Sequence, residues 1–251
     1  MSDAPMPFLA HVAELRKRLL LAFAALAAAT VASFSFTEAL AEYLMHPVAG
    51  LSFVYLSPPE LFLAYVRIAV LAGLVISSPV ILFQVWLFVR PGLLKRERRA
   101  ILAGLFFGAV FFAAGAAFSF FVILPFTLRF FLQYATERIE AVFSFGEYVG
   151  FVTSLVLSFG AAFELPVVTA ILAALGVVKG SALAGARRYA VLLVFIVAAI
   201  LTPPDVVSQV LLALPMLFLF ELSVIVARRI ERKAERRRER DGEGDTAAQE
   251  A

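Results

Sequence analysis

The chain has 251 residues, of which 62% are hydrophobic and 16% charged, with a formal net charge of +3. Its mean hydropathy of +0.93 lies well above that of a water-soluble globule, in which about half of the residues are apolar. Two histidines and no cysteine argue against disulfides, thiolate metal sites and histidine metal chemistry, and no cofactor is expected.

Glu14, Arg16, Lys17 and Arg18 precede the first uncharged run, Leu19–Thr37, which lacks a convincing small-residue cleavage site. That run is expected to stay as a membrane helix and not to be removed as a secretory signal. Further uncharged runs follow at Ile68–Val89, Ala100–Leu128 and Tyr148–Val178, the last broken only by Glu164. A spanning helix needs ~20 apolar residues for a hydrocarbon core of roughly 30 Å, and these four runs meet that length. Tyr189–Pro204 and Val206–Phe220 are shorter, and Tyr189–Leu201 reaches only about 20 Å as a helix. Spans five and six are therefore expected to be short, with local thinning or snorkelling flanks.

Thr202-Pro203-Pro204-Asp205 separates these last two runs, because consecutive prolines remove backbone donors and push the preceding residue out of the helical region. Read as one bent helix, the segment would carry the basic tail to the opposite side; read as a hairpin, it keeps that tail with the other basic loops. The hairpin places 19 of the 22 basic residues on one side and leaves Arg67, Arg129 and Arg138 on the other. The expected architecture is an all-α membrane protein of six transmembrane helices, both termini cytoplasmic. Residues 1–18 form a cytoplasmic lead-in, 19–227 the membrane domain, and 228–251 a basic then acidic tail. After Arg240 that tail has almost nothing to bury, which predicts disorder. Its basic part alternates with Glu231, Glu235 and Glu239 and reads as a solvated helical extension or an anchor to anionic lipid. Nucleic acid is a poor partner for residues beside a span.

Two outer loops, Glu38–Arg67 and Arg129–Glu147, are expected to be structured, with Phe53, Tyr55, Leu61, Phe62, Phe143 and Phe145 as candidate anchors. At the basic end, His11-Val12-Ala13-Glu14-Leu15-Arg16-Lys17-Arg18 and the loop Arg90–Arg99 each set one glutamate among cations. Two readings stand for Glu14 and Glu97. Glu14 can pair with Arg18 at i,i+4 while Glu97 dilutes repulsion, or each can accept a guanidinium from a ligand.

Glu164 is the lone formal charge in the 31 residues from Tyr148 to Val178. A charge at such a depth costs on the order of 3 kcal/mol by insertion measurements, so it marks a functional site by default. Its complement is a polar side chain, water, its own proton or a partner molecule; Thr153, Ser154, Ser158 and Gln209 are intrachain candidates. The alternative is that the carboxyl helps to organise a kink at Pro166. Asp205, following two prolines, is a good helix N-cap, and Glu221 is expected to pair with Arg228 or Arg229 by snorkelling.

The H-x-x-E-L-R-x-R pattern at His11, the run Ser78–Trp86, the Pro91…Glu97-Arg98-Arg99 loop, Phe163-Glu164-Leu165-Pro166 and Leu201–Gln209 occur in order. Over roughly Phe8 to Ala227 the chain resembles TatC, the polytopic receptor subunit of the twin-arginine (Sec-independent) protein translocase. That resemblance implies a non-enzymatic receptor for twin-arginine signal peptides of folded cargo, in a bacterial cytoplasmic (inner) membrane or its equivalent. It also implies single-span TatA- and TatB-type partners in an oligomeric complex within the lipid, driven by the proton-motive force. Signal-peptide binding is then expected at Glu14, Glu97, Arg16, Phe88 and Arg98, and intramembrane contact with a partner at Glu164, Gln209 and Asp205. A proton-coupled secondary transporter using Glu164 is the other class, weakened by the lack of an evident internal repeat. An intramembrane hydrolase finds no supporting motif.

Overall fold

The computed structural model describes residues 8–48, 52–92, 95–133, 142–201 and 206–249. Nine α-helices and two short strands follow in the order α1 (Phe8–Phe34), α2 (Thr37–Met45), β1 (Ser52–Val54), α3 (Pro58–Val89), α4 (Lys95–Phe118), α5 (Leu124–Leu132), β2 (Val142–Ser144), α6 (Phe145–Ala174), α7 (Gly180–Gly185), α8 (Arg187–Leu201) and α9 (Val206–Gln249) among these residues. Among the described residues, five helical stretches are long and apolar enough to cross a membrane: α1, α3, α4 continued into α5, α6 and α9. The 15-residue α8, about 22 Å long, is the sixth and is short.

Helix α6 occupies the middle, packed against α3, α4 and α9. Val149, Val152, Leu155 and Phe159 along it are buried together with Leu124, Ala198, Leu212 and Ala213. By contrast α1 leaves Leu19, Leu20, Phe23 and Val31 exposed, the surface expected of a helix solvated by lipid. Apolar solvent supplies little drive for helices to associate, so close approach between backbones matters more than in water. Two glycines allow it here: a Cβ on Gly73 would lie 2.8 Å from the Thr30 backbone of α1, and one on Gly115 would lie 2.5 Å from Phe159 O of α6.

Local chemistry explains the helix ends. Ser57-Pro58-Pro59-Glu60 starts α3 with prolines where backbone donors are unused, and Glu60 Oε2 reaches back to accept from Leu56 N at 2.7 Å. Ser144 caps α6, its Oγ accepting from Glu147 N at 3.1 Å. At the other end of α6, Gly176 takes φ 75°, while Val177 N bonds Leu172 O and Gly176 N bonds Ala173 O, closing the helix in a Schellman motif. A π-turn at Ser119–Ile123 joins α4 to α5 immediately before Pro125, which has no N–H to continue the α-helical ladder.

The outer loops are tied together. Strands β1 and β2 pair in parallel, with Phe53 opposite Phe143, and Phe53 also meets Phe145 and Tyr148. Phe53, Phe143 and Phe145 thus pack on one another, while Tyr55 and Phe62 stay exposed. The Glu60 carboxylate joins the two segments: Oε1 accepts from Ser144 Oγ and from Gly146 N at 3.1 Å. Tyr148 donates its hydroxyl to Leu44 O at 2.5 Å, fastening α2 to α6.

Beside this bundle α8 and α9 run antiparallel, as Gln209 against Phe195 and Glu221 against Arg187 require. This is the hairpin geometry, not one bent helix; its turn at residues 202–205 lies outside the described residues, and Asp205 with it. Glu221 departs from expectation. It pairs with Arg187 of α8 through two hydrogen bonds of 2.6 and 2.8 Å, not with Arg228 or Arg229 of its own helix. The bidentate fork of a guanidinium one helix away matches a carboxylate better than cations two turns further along the same helix. Helix α9 continues to Gln249, through the region for which composition predicts disorder.

Candidate functional site

Two places hold the residues singled out in the sequence. The first is the basic end of the seam between α1 and α3. Glu14 and Arg18 are one helical turn apart and therefore share a face of α1. Arg18 Nε donates to Glu14 Oε1 at 2.6 Å, and its Nη1 donates to Gln84 Oε1 of α3 at 3.0 Å. One turn nearer the helix ends, the His11 ring stacks on Phe88 with centroids 4.5 Å apart. Both members of the ion pair keep about a fifth to a quarter of their side-chain surface open, 21% for Arg18 and 24% for Glu14. The seam thus presents a half-buried carboxylate, a guanidinium already held on it, an amide and an aromatic ring, all within two turns of each helix.

Of the other residues expected here, Arg16 is exposed on α1 and Arg98 is partly buried in the first turns of α4. Glu97 lies in that same first stretch of α4, and its side chain is outside the described residues. The structure brings Glu14 and Phe88 into one seam; it does not describe the contact that would bring Glu97 to them. Gln84 is the residue that sequence reasoning passed over. Its signal was available: an amide near the end of the otherwise apolar run Ile68–Val89, one turn from Phe88.

The second place lies inside the membrane domain. Glu164 sits on α6, half-buried, with its carboxylate over Gly108 of α4. A methyl group at Gly108 would stand 2.9 Å from Oε2 and 3.2 Å from Oε1, so glycine makes the room that the carboxylate occupies. Glu164 has no hydrogen-bond or ion-pair partner among the described residues. The candidate Gln209 turns elsewhere, its Nε2 donating to Phe195 O at 3.0 Å and pinning the start of α9 to α8. Thr153 Oγ1 is buried without a hydrogen-bond partner. Helix α6 runs through Pro166 without a break, since proline leaves the i−4 carbonyl free while packing on both sides holds the helix. The arrangement is a carboxyl offered from a continuous helix with its polar atoms unused.

Comparison with known proteins agrees with this arrangement of helices. Residues 10–215 match the family model described as Sec-independent protein translocase protein (TatC). The chain belongs to the TatC family. Among curated relatives, the TatC protein of Helicobacter pylori strain J99 is 40% identical over 235 residues, covering 94% of this chain and 94% of its own. That of Aquifex aeolicus is 36% identical over 234 residues, covering 91% of this chain and 97% of its own. A crystal structure described as the twin-arginine translocase receptor TatC superposes with a TM-score of 0.79 at 34% identity, covering 88% of this chain and 99% of the other. As a TatC protein the chain is a multi-pass membrane component of a bacterial twin-arginine translocase.

Proposed function

We propose that this TatC protein is the receptor that reads twin-arginine signal peptides of folded cargo, with Glu14 and Glu97 accepting the cargo guanidinium groups at the cytoplasmic face. The observation that supports it is the state of Glu14: its carboxylate already holds a guanidinium, that of Arg18, at 2.6 Å. Arg18 then acts as an intrachain placeholder. A partly exposed pair of this kind is worth about 0–1 kcal/mol, so a cargo arginine with better geometry can take its place while Gln84 retains Arg18. Phe88 lies in the seam one turn from Gln84, and Arg16, exposed on another face of α1, joins the surrounding cations that repel segments unable to supply the fit. Arg98 stands beside Glu97 in the sequence and serves the same face.

Both termini are then cytoplasmic, in accord with the positive-inside rule. Glu164 offers its carboxyl to a polar group on a single-span partner of the TatA or TatB type, and Gln209 and Asp205 are assigned to contact with the same partner. The chain would act in an oligomeric complex, because folded cargo needs a path tens of ångströms wide and a 27.3 kDa bundle cannot line one. Energy would come from the proton-motive force.

Photocrosslinking of a twin-arginine signal peptide to membranes containing Glu14→Ala or Glu97→Ala protein tests the assignment. Crosslinks should fall at least tenfold at unchanged membrane levels; undiminished crosslinking in both variants would remove these acids from recognition.

A further inference from the structure

Beyond its last buried turn at Val224 and Ala227, α9 carries a dense set of cations at the basic end of the bundle: Arg228, Arg229, Arg232, Lys233 and Arg236 are all exposed. The acids of the same stretch, Glu231, Glu235 and Glu239, recur every fourth residue and so form one stripe along the helix. The first of them is engaged. Glu231 Oε2 accepts from Gly180 N, in the first turn of α7, at 3.1 Å. Contact there is close enough to involve backbone, since a Cβ on Gly180 would stand 2.6 Å from Arg228 N. The rotation of α9 about its axis is therefore set by α7, with Glu231 turned toward it.

At about 100° per residue, Arg229, Arg232, Lys233 and Arg236 fall roughly 100–200° around the helix from Glu231. Arg229, Lys233 and Arg236 point away from α7, and Arg232 lies at the edge of that face, one turn from Arg228. None of the four has a hydrogen-bond or ion-pair partner among the described residues. Along the axis they span about 10 Å and begin just past the last buried residue, Ala227, against a headgroup layer of about 5–8 Å on each face of a bilayer.

We propose that this outward face is a binding surface for anionic lipid headgroups of the adjoining leaflet. Depth favours lipid over an acidic protein segment: the four cations leave the span directly into the headgroup layer, where phosphate esters are the abundant anions. Engagement of Glu231 by Gly180 N takes the nearest carboxylate away from those phosphates. This surface is separate from the seam of Glu14 and does not depend on how cargo is read.

The chain has no cysteine, so Ile230→Cys creates a single labelling position beside the patch in the full-length protein. Purified, fluorophore-labelled protein is reconstituted into phosphatidylcholine vesicles carrying a trace of headgroup-nitroxide phosphatidylglycerol or phosphatidylcholine. Quenching by the phosphatidylglycerol probe should exceed that by the phosphatidylcholine probe several-fold at low salt. The excess should shrink at 1 M salt, where the screening length is about 3 Å. Replacing Arg229, Arg232, Lys233 and Arg236 together by glutamine should bring the two probes level. Equal quenching in the unsubstituted protein, or an excess that survives both 1 M salt and the fourfold replacement, overturns the proposal. The first of those results would mean that the face is left for an acidic protein partner. The salt series uses the unsubstituted chain, so it decides the matter even where the fourfold variant folds poorly.

Discussion

Glu164 and Gly108 show how much a single side chain depends on what faces it. The carboxyl stands over a glycine, 2.9 Å from where a methyl would be, and has no polar partner among the described residues. Gly108→Ala should therefore displace the carboxyl and impair export to an extent approaching that of Glu164→Ala, with the protein still present in the membrane. Gly104→Ala is the packing control: its Cβ would meet Ile171 Cδ1 and stand 2.8 Å from Ile171 Cγ1, a harder contact on the same pair of helices that leaves the carboxyl untouched, and it should impair export less. Equal transport defects in the two glycine variants would point to general packing and not to the carboxyl. The charge was conspicuous in the sequence because nothing else in its run is charged. Its glycine seat was not, because pairing residue 108 with residue 164 requires knowing how α4 lies on α6. Glu14 divides in the same way: its pairing with Arg18 follows from helical spacing, whereas the Gln84 contact needs α3.

At the scale of elements, caps and breaks were written locally, and packing was not. Ser57, Ser144, Gly176 and the proline pairs mark helix ends by chemistry that acts within a few residues. The parallel pairing of β1 with β2 joins segments some ninety residues apart in the chain, so no local pattern announces it. Glu60 holds that junction through Leu56 N, Gly146 N and Ser144 Oγ. Glu60→Ala should loosen the junction by removing the shared acceptor of these three donors, seen as a lower Tm in detergent and faster proteolysis of the loops it joins. Glu60→Gln, which keeps the acceptor oxygen, should lose less. Between α1 and α3, Gly73→Ala forces a methyl against the Thr30 backbone and should destabilise by about 1–3 kcal/mol. Gly185→Ala meets nothing within 4 Å and should be neutral, or stabilising by up to about 1 kcal/mol through helix propensity. Thermal unfolding of the two variants in one detergent checks the contrast.

For the whole molecule, the decisive feature is the α8–α9 hairpin, which returns the chain to the side from which α8 started. Reporter domains fused before Met1 and after Ala251 should both respond as cytoplasmic; opposite responses would mean that the last two helices do not both cross. The sequence by itself determined the membrane class, the six runs, the break at Pro203-Pro204 and the candidate acids. Apolar length, proline chemistry and cation asymmetry act over short stretches of chain and are written there directly. Tertiary structure alone decided that Glu221 answers Arg187, that Gln209 is spent on Phe195 O, that Glu164 rests on Gly108 and that Glu231 turns the basic face of α9 outward. Each of these joins residues on different helices. In lipid, where apolar burial drives helix association only weakly, the choice among such contacts rests on close backbone approach and hydrogen bonding, which exist only once the helices have met.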